Sequence, residues 1–243
     1  MRILLTLSLA FLFAYPSYSQ IDLGKLRKEA EETLSTTTGG KGTGLSNDEV
    51  IAGLKEALNV GIENAVKSAS VVDGFNKNLE IRIPFPPEAE EMKKYLLKMG
   101  MQSQVDEFEE TLNRAAEEAS KDATEIFIAA IKQMSIEDGF TILNGNDDAA
   151  SQYLKKTTYD QLYDKFKPIV VAATQKVQVT KYWNPLASTY NKVPFVKKVN
   201  PDLEDYVTKK AIDGLFVLVA QEEQKIRKDP AARVTDILKK VFK

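Results

Sequence analysis

Residues 211–220 read AIDGLFVLVA, apolar or glycine at every position but one. A helix carrying such a segment is hydrophobic around its whole circumference and belongs at the centre of a domain. Asp202 stands where an N-cap is needed, and the helical pattern runs from there to about Lys228. The exception within the segment is Asp213. A carboxylate there is costly unless it is hydrogen-bonded, capped or paired. Arg114 or a helix N-terminus is the partner the sequence offers. A carboxylate lining a cavity is the alternative, and solvent exposure the third reading.

Around this segment the period of 3 and 4 residues recurs almost throughout. Ser46 and Glu49 make a capping box ahead of Val50, Leu54, Ala57, Leu58, Ile62, Ala65 and Val66. Asp73-Gly74 turns the chain. Leu79, Ile81 and Ile83 alternate with other residues and lead into Pro84-Phe85-Pro86-Pro87. Three prolines in four residues exclude a central strand or helix interior, so this is an extended strap, with Pro87 opening the next helix. That helix stops at Gly100. Ser103 is expected to cap another, Asp122 the one after, and Ser135 to start a short helix ending at Leu143. The polar loop 144–148 (NGNDD) supplies aspartates to cap the next helix. Residues 158–177 are predicted helical with Pro168 as a kink or break. Residues 180–200 read as a proline- and aromatic-rich connection, and Asp229-Pro230 starts a terminal helix. The fold class is all-α: an irregular bundle of about nine helices with one proline-rich extended strap.

The N-terminus reads differently. Arg2 precedes an apolar run from Ile3 to Ala14, 12 residues that are too few to span a bilayer. Pro16 breaks the helix and Ser17-Tyr18-Ser19 places small residues before Gln20, the pattern of a cleaved secretory signal over residues 1–19. Removing it takes away one arginine and no acid, so the formal charge goes from −2 to −3. No later stretch is a transmembrane helix. Residues 20–44 comprise a short charged helix (22–34) and a flexible linker (35–44, STTTGGKGTG). Residues 45–243 form a single helical domain. The protein is expected to be exported to the periplasm.

The 243 residues include no histidine and no cysteine. This excludes a thiolate nucleophile, a disulfide, a zinc ribbon, an imidazole base and a Ser–His–Asp triad. Chemistry would have to rest on carboxylates, lysine, tyrosine, arginine or hydroxyls, and no cofactor is implied. The rest of the composition, 43% hydrophobic and 28% charged, is that of an ordinary globular domain.

A set of landmarks carries a resemblance: IPFPP at 83–87, NRAAEEA at 113–119, ILNGNDDAASQYL at 142–154 and FKPIV at 166–170. DLEDYVTKKAIDGLF at 202–216 and EEQKIRKDPAARVTDILKKVF at 222–242 complete it. In this order they resemble the exported bacterial family known as domain of unknown function 4197. The resemblance covers about residues 45–243. It implies an all-helical periplasmic domain and transfers no catalytic residue.

Four constellations are candidates for function. Asn144, Asn146, Asp147 and Asp148 concentrate oxygen ligands for a hard cation, but lack EF-hand spacing, and turn chemistry plus capping accounts for them. Arg114 and Glu117 lie at i, i+3 on one helix and pair there in the simpler reading. With Asp213 they would make the carboxylate site of a hydrolase. Tyr182, Trp183, Tyr190 and Phe195 with Lys197 and Lys198 suit a membrane interface or an interaction patch, against packing of the rings on the bundle. Residues 88–125 hold 11 acids and 5 bases, and residues 155–210 hold 11 bases and 5 acids. Nucleic acid is not the partner of an exported acidic protein; peripheral contact with anionic lipid is compatible with the basic half. The favoured reading is a non-enzymatic binding or interaction protein of the cell envelope, taking an envelope protein or a small hydrophobic ligand. The alternative is the Asp213/Glu117/Arg114 hydrolase.

Overall fold

The capping box predicted at Ser46 is formed: Ser46 Oγ accepts from the Glu49 N–H, and Glu49 Oε2 accepts from the Ser46 N–H at 2.9 Å. It opens α1 (Asn47–Ala69) in a computed structural model that describes residues 44–137 and 139–243. The signal segment, the first charged helix and all of the linker but Gly44 lie outside the described residues.

After α1 come α2 (Glu90–Lys98), α3 (Gln102–Ser120), α4 (Ala123–Gln133) and the short α5 (Gly139–Leu143). Then follow α6 (Ala149–Lys176), α7 (Val179–Asn191), α8 (Leu203–Lys228) and α9 (Asp236–Val241). Single 3-10 turns at Pro87–Ala89 and Pro230–Ala232 precede α2 and α9. Among the described residues there is no strand, and the fold is an all-α irregular bundle.

The predicted central helix is central. α8 packs along α1 on one side and α6 on the other, and is capped by Asp202, whose carboxylate accepts from the Asp205 N–H at 2.9 Å. Val207, Ala211, Ile212, Leu215 and Val219 are fully buried. Gly214 is required by close approach, because a Cβ there would lie 2.7 Å from the Phe75 ring. One expectation fails: the helix is not enclosed on all sides. Asp213, Val217, Ala220, Gln221 and Gln224 fall on one stripe that is not buried, and Val217 is 38% exposed.

The strap has no ladder partner, so its backbone polar groups must be satisfied otherwise. α3 does this with side chains one turn apart. Asn113, wholly buried, accepts from the Ile83 N–H at 2.8 Å and donates to the Ile83 carbonyl at 2.9 Å. Glu109 accepts from the Phe85 N–H, and Glu117 from the N–H groups of Phe75 and Asn76. Their charges are met by Arg82 and Lys93 on Glu109 and by Arg114 on Glu117. The spacing 109, 113, 117 puts all three on one face, and that face fastens residues 73–85 to the bundle.

Several local expectations are corrected. Residues 179–191 are helical, not a connection: Trp183, Leu186 and Tyr190 repeat at 3 and 4 residues and are buried, and that packing outweighs the bond lost at Pro185. α6 is one helix containing Pro168 and begins at Ala149, earlier than expected. α3 starts at Gln102, so Ser103 is inside the first turn and its hydroxyl bonds Glu107 instead of capping. The short helix begins at Gly139 rather than Ser135, and neither Asp122 nor Asp148 makes a side-chain cap.

Candidate functional site

The N-terminus of α6 is capped from a distance. Glu223 on α8, fully buried, accepts from the Ala150 N–H at 3.0 Å and from both the Ser151 N–H and the Ser151 hydroxyl at 2.7 Å. The carboxylate meets the positive end of the helix dipole. Arg227, one turn on, bonds Glu223 Oε1 through Nε and Nη2 and donates to the carbonyls of Leu143 and Ile142. One ion pair thus ties α8, the end of α5 and the start of α6 together, and fixes the loop 144–148 between them.

That arrangement leaves an open groove of about 810 Å³ between the loop, the first turns of α6 and the exposed stripe of α8. Its floor is Phe216 and Val217, its far wall Ser151, and its rim Gln152, Gln221 and Gln224. Lys155 spans it: its ammonium donates to Asp213 Oδ1 at 2.7 Å and lies 5.7 Å above the rings of both Tyr159 and Phe216. Burial, then the nearby Asp213 charge, pushes the Tyr159 phenol up to about 12, so it is neutral here. The volume is that of a ligand site, and the lining is mostly polar: Phe216, Val217 and Ala220 are its apolar side chains, and Asn146, Asp147, Asp148 and the glutamines stand around them.

Asp213 is therefore not a buried charge. Its side chain is 42% exposed and its partner is Lys155, not Arg114. Arg114 bonds Asp73, Glu110 and Glu117 and borders a separate recess of about 370 Å³ beside Tyr182. Glu117 is buried beneath the loop it holds. The three residues of the hydrolase reading do not converge.

The polar loop is engaged by side chains. Asp147 pairs with Lys228 at 2.5 Å and accepts from Gln224, and these bonds, the lysine's first, hold its carboxyl below the usual range. Asp148 accepts from Gln152 at 3.1 Å. Asn144 and Asn146 are exposed, and among the described residues no three acids gather around a point where a metal ion could sit.

The aromatic set divides. Trp183 lies in the core, 5.1 Å from Phe108 and 5.9 Å from Phe85, and Tyr190 meets Tyr95 edge-on at 5.7 Å. Tyr182 is half-buried under Lys181. Phe195, Lys197 and Lys198 are exposed.

A family model described as protein of unknown function DUF4197 matches residues 44–243. The chain belongs to the DUF4197 family. No curated protein and no solved structure matches it. The match coincides with the described bundle, so every residue of the groove lies within the matched region. Its builders, Glu223 and Arg227, and its rim, Gln152, Gln221 and Gln224, are absent from the candidates drawn from sequence. A signal for Glu223 exists: it continues the buried phase Leu215, Val219, Glu223, Ile226, where an acid must have a partner.

Proposed function

We propose that this DUF4197 chain is a non-enzymatic binding protein of the cell envelope, exported to the periplasm, whose ligand seat is the groove between α6 and α8. The observation that carries the reading is the pairing of an apolar floor, Phe216 and Val217, with a rim of side-chain amides at Gln152, Gln221 and Gln224. Each amide donates one N–H to a carboxylate, Gln152 to Asp148, Gln221 to Glu80 and Gln224 to Asp147. Each keeps a second N–H and its carbonyl oxygen, so this rim suits a neutral ligand with amide or hydroxyl groups, such as an extended segment of an envelope protein. Lys155 and Asp213 neutralise each other across the groove. Export is supported by Arg2, the apolar run 3–14 and the small residues before Gln20.

A photo-crosslinking amino acid placed at Val217, and in a second strain at Glu63, exposed on α1, tests this in growing cells. Intact-mass measurement detects protein and small-molecule adducts alike. An adduct at 217 that is missing at 63 supports the groove; no adduct at 217, or equal adducts at both, rejects it.

A further inference from the structure

The loop after α7 has a different character from the groove. Asn191 closes it: its side-chain amide donates to the Val199 carbonyl at 3.2 Å and accepts from the Val199 N–H at 3.0 Å. The Val193 N–H donates to the Tyr190 carbonyl at 2.9 Å, and Val196 and Val199 pack against the core. The ends and one flank of the loop are therefore held. At its tip, after Pro194, stands Phe195, with φ +66° and its side chain fully in solvent. A left-handed backbone is uncommon for a bulky residue and persists only where the surroundings impose it. Here it presents an aromatic ring outward that meets no other ring among the described residues.

The charge along the loop is of one sign. Lys192, Lys197 and Lys198 are exposed and form no ion pair among the described residues. From residue 165 to residue 201 the chain has seven lysines and no acid. Asp202, the first acid beyond, is turned to cap α8. An apolar tip flanked along the loop by unpaired cations is complementary to one surface in particular: the ring enters the acyl boundary while the ammonium groups remain among anionic headgroups.

We propose that residues 192–198 dock this protein on an anionic phospholipid bilayer, with Phe195 inserted and Lys192, Lys197 and Lys198 on the headgroups. Contact is reversible, because one ring and three lysines give modest affinity.

The test is co-sedimentation of the full chain with vesicles of phosphatidylethanolamine and phosphatidylglycerol, against vesicles of phosphatidylcholine alone. Phe195→Ala and the triple variant Lys192→Ala/Lys197→Ala/Lys198→Ala are compared with the unaltered chain. Residues 1–43 are the same in all three proteins, so differences between them report the loop. Unchanged thermal melts verify the fold. The expected result is preference for the anionic vesicles that weakens with salt. Phe195→Ala should weaken it about tenfold or more, and the triple variant about a hundredfold. Equal binding to both vesicle types, no binding to either, or variants that bind like the unaltered chain would overturn the proposal. An acidic protein surface as the true partner would show itself as absence of vesicle binding.

Discussion

Glu223 receives both the backbone N–H and the hydroxyl of Ser151, each at 2.7 Å, across 72 residues of sequence. The start of one helix is thereby capped by the interior of another, and the groove exists because these two residues hold its walls apart at a fixed separation. Removing Glu223 leaves Arg227 half of a buried pair and α6 uncapped. Glu223→Ala should cost about 3–5 kcal/mol, as broken buried pairs do, and Glu223→Gln less, since the amide oxygen still accepts. Urea unfolding measures both; a loss below about 1 kcal/mol for Glu223→Ala would refute the role.

Asn113 carries the strap. Asn113→Ala strips partners from the buried N–H and carbonyl of Ile83, and two unsatisfied groups set a cost of about 2–4 kcal/mol. Hydrogen exchange should show the Ile83 amide losing protection in this variant before the amides of α8 do.

Asp213 is expected to matter little to stability. Both partners of the Lys155–Asp213 pair are more than a third exposed, and exposed pairs are worth less than about 1 kcal/mol. Thermal melts of Asp213→Ala within a few degrees of the unaltered chain would agree. A loss of several kcal/mol would place this residue in the core after all.

Acid should destabilise the domain. Hydrogen bonds from Lys240 and then Ser46 hold the Glu49 carboxyl down at about 2, and Lys77, then Arg114 and Asn76, hold Asp73 well below the carboxylate range. Folded values below the unfolded ones mean stability that is present above about pH 4.5 and lost as pH falls toward the folded values. Glu49→Gln should flatten part of that fall, read from melts between about pH 5 and pH 2. Alkali acts with the opposite sign. Burial, then Glu88 and Glu109, pushes the Tyr206 phenol up to about 12. The unfolded chain loses this proton first, so stability declines above about pH 10, less steeply in Tyr206→Phe.

Intact-mass measurement of the exported protein should show Gln20 as the first residue. Retention of residues 1–19 would contradict the signal-peptide reading on which the periplasmic proposal rests.

Helix type and order are legible in the sequence wherever the cause is local. The Ser46–Glu49 box, the stop at Gly100, the Asp202 cap and the proline strap each depend on residues within one or two turns, and each is found in place. The family is legible for the same reason, since its landmarks are contiguous strings. Trp183 and Tyr190 are harder to place because Pro185 reads as a break, whereas burial of Trp183, Leu186 and Tyr190 carries the helix through it. Asp213 reads as buried because a periodic pattern states which residues are apolar but not how many sides of a helix have neighbours. α1, α6 and α3 pack against α8 and leave one stripe of it to the groove. The backbone N–H groups that donate to Glu223, Glu109 and Asn113 lie 24 to 73 residues away from them. Only the tertiary structure could decide these pairings, because a carboxylate or amide in a buried register announces that it needs a partner, and packing alone selects which one it meets.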